Sequence, residues 1–215
     1  MARCTLKFII IVIVSNLSFA SIANDKVLLI GDSLSAGYGL KQGQGWVDLL
    51  QSKYTDNKKA ITVINTAISG QTTDNALLKI DSWLEAHQPT HVLIELGGND
   101  GIRGFPVKLL QKHLKGLIIK SQQQGAKVAL MEIQIPPNLG PRYSKMFTDS
   151  YSNVSNKTGA YLMPYFMTEI AIEPSLMQND NLHPNQKAQV FIRDFMYREI
   201  DLWLQTTTNE NTETR

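Results

Sequence analysis

The sequence predicts an α/β fold: a three-layer α/β/α sandwich around about five parallel strands. Two observations carry the prediction. Short apolar runs bounded by turn residues alternate with longer segments whose apolar residues recur at helical spacing, the pattern of βαβ units. Glycine-rich and small polar stretches stand directly after the apolar runs, at the strand ends where a doubly wound sheet opens its ligand crevice.

Taken in order, Lys26 to Ile30 is the first strand, closed by Gly31-Asp32-Ser33. Ile61 to Ile64, His91 to Leu96 and Lys127 to Ile133 are the next three, and Ala160 to Met163 is a weaker fifth. After Thr72 and Thr73, the residues Ala76, Ile80, Trp83 and Leu84 line one face of a helix. Val107, Leu110, Leu114, Leu117 and Ile118 line a second, with Pro106 at its first turn. Ala188, Ile192, Phe195, Met196, Ile200 and Trp203 line the last, which Asn185 caps. Right-handed crossovers leave few ways to connect these pieces. Residues 24–204 read as one domain with no internal repeat, and 205–215 as a frayed polar tail without periodicity.

The 215 residues suffice for a real core, and 43% hydrophobic with 19% charged content excludes wholesale disorder. The chain has 21 basic and 19 acidic residues; Arg3 and Lys7 account for the difference, so residues 24–215 are formally neutral. No basic face marks nucleic acid as a partner. Residues 1–23 have the parts of a secretory signal: a positive start, the apolar run Phe8 to Val14 extended by Leu17 to Ala20, and small residues that place cleavage after Ala20 or Ala23. The strict apolar run is too short to cross a bilayer of about 30 Å comfortably, so cleavage is expected and stable membrane insertion is not. The single cysteine, Cys4, lies in this segment. Export of a chain without thiols suits a bacterial periplasm, and a monomer is expected.

Four stretches hold residues suited to chemistry: Gly31-Asp32-Ser33-Leu34-Ser35-Ala36-Gly37, Asn65 to Thr72, Gly97-Gly98-Asn99-Asp100-Gly101, and Asp180-Asn181-Leu182-His183-Pro184. The first three follow predicted strands and converge on one sheet edge. Together the four contain the inventory for acyl transfer. Ser33 is a weak nucleophile until a base takes its proton, and His183 is the natural base. Asp180, three residues earlier on a tight turn, reaches the other ring nitrogen and stabilises the imidazolium. An oxyanion needs preorganised donors, and the candidates are the Ser33 N–H, the Gly70 N–H and the Asn99 side-chain amide. Asp32 is an alternative orienting acid, but its place beside Ser33 suits it to securing the turn.

Other readings fail on particular residues. Ser35 stands where a Gly-x-Ser-x-Gly elbow needs its second glycine. Gly37-Tyr38-Gly39 and Gly43-Gln44-Gly45 lack the third glycine of a dinucleotide loop. His87, His91 and His113 lack metal-ligand spacing, because Pro89 breaks the helix that would align the first two, and they read as surface or strand-edge histidines.

The four stretches, together with Pro136 to Tyr143 and Leu162 to Phe166, resemble the GDSL, or SGNH, hydrolase family over essentially the whole exported chain. The resemblance implies a flavodoxin-like sandwich, Ser33 as nucleophile, His183 as base, Asp180 as its partner, and Ser33, Gly70 and Asn99 as oxyanion donors. It also implies activity on small acyl esters and thioesters without a metal or other cofactor. Some members carry an acid after the second-block glycine; here it is Gln71. Ile133 to Phe147 reads as a long proline-rich loop. Its Ile135 and Leu139, with Ile102 and Phe105 beside Asn99, either line an acyl groove or cap the core. Two alternatives remain at this point: a carbohydrate O-deacetylase of the same mechanism, and a non-enzymatic periplasmic binding module.

Overall fold

Each of the five apolar runs forms a strand of one parallel sheet. The structure, a computed structural model, describes residues 24–135 and 139–213, with 208–213 as backbone alone. The expected signal segment 1–23 and its cleavage sites lie outside the described residues, as do 136–138 of the proline-rich stretch. The strands are β1 Asp25–Gly31, β2 Ile61–Asn65, β3 His91–Glu95, β4 Lys127–Met131 and β5 Tyr161–Met163. Their order across the sheet is β2-β1-β3-β4-β5, the flavodoxin-like order, with the register set by pairs such as Leu28 with Val92 and Leu29 with Asn65. Val27 to Ile30 in β1 and Val92 to Ile94 in β3 are buried on both faces, which is why these runs read as continuously apolar.

The helices are α1 Ser33–Ala36, α2 Trp46–Asp56, α3 Thr73–His87, α4 Gly98–Ile102, α5 Val107–Gln123, α6 Pro141–Thr158 and α7 Gln186–Glu213. Helices α3, α5 and α6 pack side by side on one face, and α2 packs against α7 on the other. The stripes expected on α3, α5 and α7 are the buried ones, with Trp83 and Phe195 half-buried at their margins. Asn185 Oδ1 accepts the Lys187 and Ala188 N–H groups at 2.9 and 3.3 Å, the expected cap of α7.

Three local expectations are corrected. Helix α6 starts at Pro141, so the second half of the stretch read as a loop is helical. Proline suits a first helical turn, where its missing N–H costs nothing, and Phe147, Tyr151 and Val154 bury the inner face. The C-terminal segment is no frayed tail through Glu213: α7 continues, and Thr207 is buried against the foot of β3. His91, read as a surface or strand-edge histidine, does open β3 but is buried there. Its ring meets Trp203 edge-on at 5.1 Å, with Nδ1 2.9 Å from Thr90 Oγ1 and Nε2 3.1 Å from Thr207 Oγ1. The Thr207 hydroxyl donates to the Leu204 carbonyl, so its oxygen accepts from His91 Nε2–H. Burial lowers the His91 pKa and favours this neutral ring.

Thr207→Val deletes that acceptor and leaves a buried imidazole N–H unpaired. The expected cost is about 1–3 kcal/mol of unfolding free energy, read by urea denaturation; an unchanged midpoint would mean that the end of α7 contributes nothing to the fold.

Candidate active site

At the carboxyl end of β1 the chain turns sharply into α1. Asp32 caps this short helix, its Oδ1 accepting from Leu34 N–H at 3.1 Å, and Ser33 is the first helical residue. Gly37 ends the helix at φ +72°, a left-handed conformation that favours glycine. Gly31 is glycine for want of room: a Cβ there would lie 2.7 Å from Glu95 Oε2. Ser33 is half-buried, facing a small cleft of about 60 Å³.

The segment before α7 brings His183 to Ser33. Met177 and Pro184 form an antiparallel bridge, Gln178 N–H donates to the His183 carbonyl at 2.8 Å, and Asn185 N–H donates to the Leu176 carbonyl at 2.7 Å. Within it, Asp180 Oδ1 accepts from the backbone N–H groups of Leu182 and His183, and Asn181 takes φ +53°, which asparagine tolerates well. This tight turn places Asp180 Oδ2 2.7 Å from His183 Nδ1, while His183 Nε2 lies 2.8 Å from Ser33 Oγ. The hydrogen bond from His183 pulls the Asp180 pKa down to about 2, so its carboxylate is ionised and accepts a hydrogen bond from Nδ1–H. Nε2 is then free to accept the Ser33 hydroxyl proton, the arrangement by which a serine is activated for attack.

The sequence reading missed two supports. The Tyr38 ring lies 4.3 Å from the His183 ring, tilted by 34°. Gln178 Nε2 donates to both the Tyr38 and Pro184 carbonyls, at 2.8 and 3.1 Å, clasping the segment after α1 to the histidine turn. Neither contact is signalled locally, since Tyr38 lies 145 residues before His183 and 140 before Gln178.

Asn99, in α4 just beyond β3, donates through Nδ2 to the Gln71 carbonyl at 3.0 Å and to Asp32 Oδ2 at 3.2 Å. That amide therefore links the loops after β1, β2 and β3. Gly70 stands at an exposed turn with φ +78°, and among the described residues neither its N–H nor that of Ser33 has an intramolecular acceptor. Asp32 thus secures the turn and the Asn99 amide, while Asp180 is the acid on the histidine. Gln71 is buried, and its side-chain Nε2 has no partner among the described residues.

Of the expected groove residues, Ile102 and Ile135 line the cleft with Ser33 and Asn99, as do Leu34 and Leu182, which the sequence reading did not single out. Phe105 and Leu139 do not line it. Phe105 follows a left-handed Gly104 and turns toward α6, where its carbonyl accepts the Tyr143 hydroxyl at 2.8 Å; Leu139 is exposed just ahead of α6. Larger surface hollows near Trp203 and Pro89 lie by the amino ends of β3 and β4, away from this chemistry.

Desolvation raises the Asp32 pKa from 3.8 to about 6. A carboxyl raised in this way stabilises the fold in its protonated form. That contribution is complete below pH 4 and is lost as the pH rises through about 6. Relative to Asp32→Asn, the wild type should lose about 2–3 kcal/mol of unfolding free energy between pH 4 and 7, measured by urea denaturation at each pH. A difference that does not vary with pH would show that Asp32 titrates normally.

Comparison with known proteins shows the family. Residues 29–190 match the GDSL-like lipase/acylhydrolase family. The chain is 43% identical over 184 residues to an arylesterase of Vibrio mimicus, covering 86% of this chain and 92% of that protein. It is 37% identical over 198 residues to thioesterase 1/protease 1/lysophospholipase L1 of Escherichia coli K12, covering 92% of each. The crystal structure of the psychrotrophic esterase EstA from a Pseudoalteromonas species, inhibited by monoethylphosphonate, superposes with a TM-score of 0.84 at 57% identity, covering 84% of this chain and 99% of that one. By sequence and by fold, the chain belongs to the GDSL-like lipase/acylhydrolase family.

Proposed function

We propose that this chain is a serine hydrolase that cleaves acyl esters and thioesters through an acyl-enzyme on Ser33. The observation that carries the reading is the continuous relay from Asp180 through His183 to Ser33, opening on a cleft walled by Leu34, Ile102, Ile135 and Leu182. In the first half-reaction His183 Nε2 takes the Ser33 proton as Oγ bonds to the carbonyl carbon. The tetrahedral oxyanion accepts from the Ser33 and Gly70 N–H groups and from the Asn99 amide, which exchanges its longer bond to Asp32 for the substrate oxygen. The imidazolium, steadied by Asp180, returns the proton to the departing alcohol or thiol as the carbon–oxygen or carbon–sulfur bond breaks. Water then attacks the acyl-enzyme with His183 as base, releasing the acid and restoring Ser33.

The names of the relatives support the breadth of the substrate class: arylesters for one, thioesters and lysophospholipids for another. Residues 1–23 support export to the periplasm. The formal neutrality of residues 24–215 supports a chain without nucleic-acid partners. The relay supports catalysis with no metal or other cofactor.

The experiment is a para-nitrophenyl ester panel from acetate to palmitate, on the chain from Asn24 onward. Ser33→Ala should lower kcat by about 10⁴-fold or more, and Asp180→Asn by about 10²–10⁴-fold, with KM changed far less. Ile102→Ala and Ile135→Ala should shift the chain-length profile, whereas Leu139→Ala should leave it in place. Turnover that survives Ser33→Ala would remove Ser33 from the chemistry, and turnover confined to acetate would favour an O-deacetylase.

A further inference from the structure

The last residue of β3, Glu95, is a buried carboxyl that the mechanism does not use. Its Oε2 accepts from Ser35 Oγ at 2.7 Å and from the Asp32 backbone N–H at 3.3 Å, gripping the chain on both sides of Ser33. Bonds run outward from these two points. The Ser35 carbonyl accepts from Asn65 Nδ2 at 2.9 Å, and Asn65 Oδ1 accepts from Ala67 N–H at 3.0 Å, which reaches the loop that carries Gly70. Asp32 in turn holds the Asn99 amide. One side chain therefore lies beneath the nucleophile turn and is bonded to both loops with oxyanion donors, through Ser35 and Asn65 to one and through Asp32 to the other.

We infer that Glu95 is a positioning residue for the Ser33 turn. This rests on Ser33 being the nucleophile. A neutral carboxyl accepts the two hydrogen bonds without placing a second negative charge behind the developing oxyanion. The surroundings favour that form: burial, then the neighbouring Asp32, push the Glu95 pKa well above the usual carboxylate range. The other titratable groups near it are the phenols of buried Tyr151 and half-buried Tyr165, whose own pKa values are raised, so they bring no charge. His183 acts on Asp32 from the far side.

The test compares wild type, E95Q, E95A and S33A by kcat and KM on a para-nitrophenyl ester across pH, with thermal unfolding measured in parallel. E95Q keeps an oxygen acceptor and no charge, so its kcat should stay within about threefold of wild type, and any alkaline fall in kcat that comes from ionising Glu95 should disappear. E95A should lose about 10- to 100-fold in kcat with KM nearly unchanged, because substrate does not touch Glu95. A kcat for E95A within twofold of wild type overturns the proposal, as does an E95Q variant as impaired as E95A. If E95A does not fold, S35A decides: it cuts the 2.7 Å bond alone, and an unchanged kcat overturns the proposal. Turnover that survives in S33A defeats the nucleophile reading instead, so the two failures are separable.

Discussion

The hydrogen bond between His183 Nε2 and Ser33 Oγ joins residues 150 positions apart, and it exists only when both ends of the chain are in place. One end depends on β1 lying inside the sheet, between β2 and β3, and on the cap that Asp32 puts on α1. The other depends on the turn before α7, which the single Met177–Pro184 bridge closes. Its rigidity comes from Gln178, Asp180 and Asn185, whose side chains satisfy backbone groups of the turn or of the segment beside it. Helix α7 then fixes the turn to the body by packing on α2, where Gln189 accepts the Trp46 N–H and Lys53 pairs with Asp194. Core packing far from the crevice thereby sets a distance at which proton transfer is possible.

The electrostatics divide along the same line. Asp180 is largely exposed and accepts three hydrogen bonds, which favours its charged form. Asp32 and Glu95 lie behind the serine, buried, with pKa values pushed upward. The carboxylate that must stay ionised to hold the imidazole is kept near water. The ones placed against the turn are withheld from it, and they act by accepting hydrogen bonds at fixed points. Asp32 Oδ1 and Glu95 Oε2 are met by backbone or hydroxyl donors, while Glu95 Oε1 has no partner among the described residues.

Much of this was legible in the sequence because strands of a parallel sheet, buried on both faces, write themselves as unbroken apolar runs. Those runs ordered the loops, and the order led to Ser33, Gly70, Asn99, Asp180 and His183. What escaped notice had other causes. Helix α2 begins at Gly45 with no side-chain cap to announce it. The stretch before α6 is rich in proline, and nothing in it distinguishes a turn proline from one that opens a helix. Residues 205–213 lack apolar periodicity, and the buried contact found among 205–207 is a threonine, Thr207, which no apolar stripe announces. Glu95 sits in an apolar run where an acid reads only as an interruption, since its partners are 60 and 63 residues away. Phe105 and Leu139 were apolar and close in sequence to the site, but the left-handed Gly104 and the start of α6 turn them away from the cleft.

The account stands on Ser33 being the atom donor that bonds to the acyl carbon, with His183 setting its reactivity. The most direct measurement is peptide mapping by mass spectrometry after treatment with an aryl organophosphonate, which serine nucleophiles attack irreversibly. The account predicts a single phosphonyl group per chain, on the peptide carrying Ser33 and assigned to that residue, and formed far more slowly in His183→Ala. An adduct on Ser35 or Ser69, or ester turnover that persists after full modification of Ser33, would contradict it.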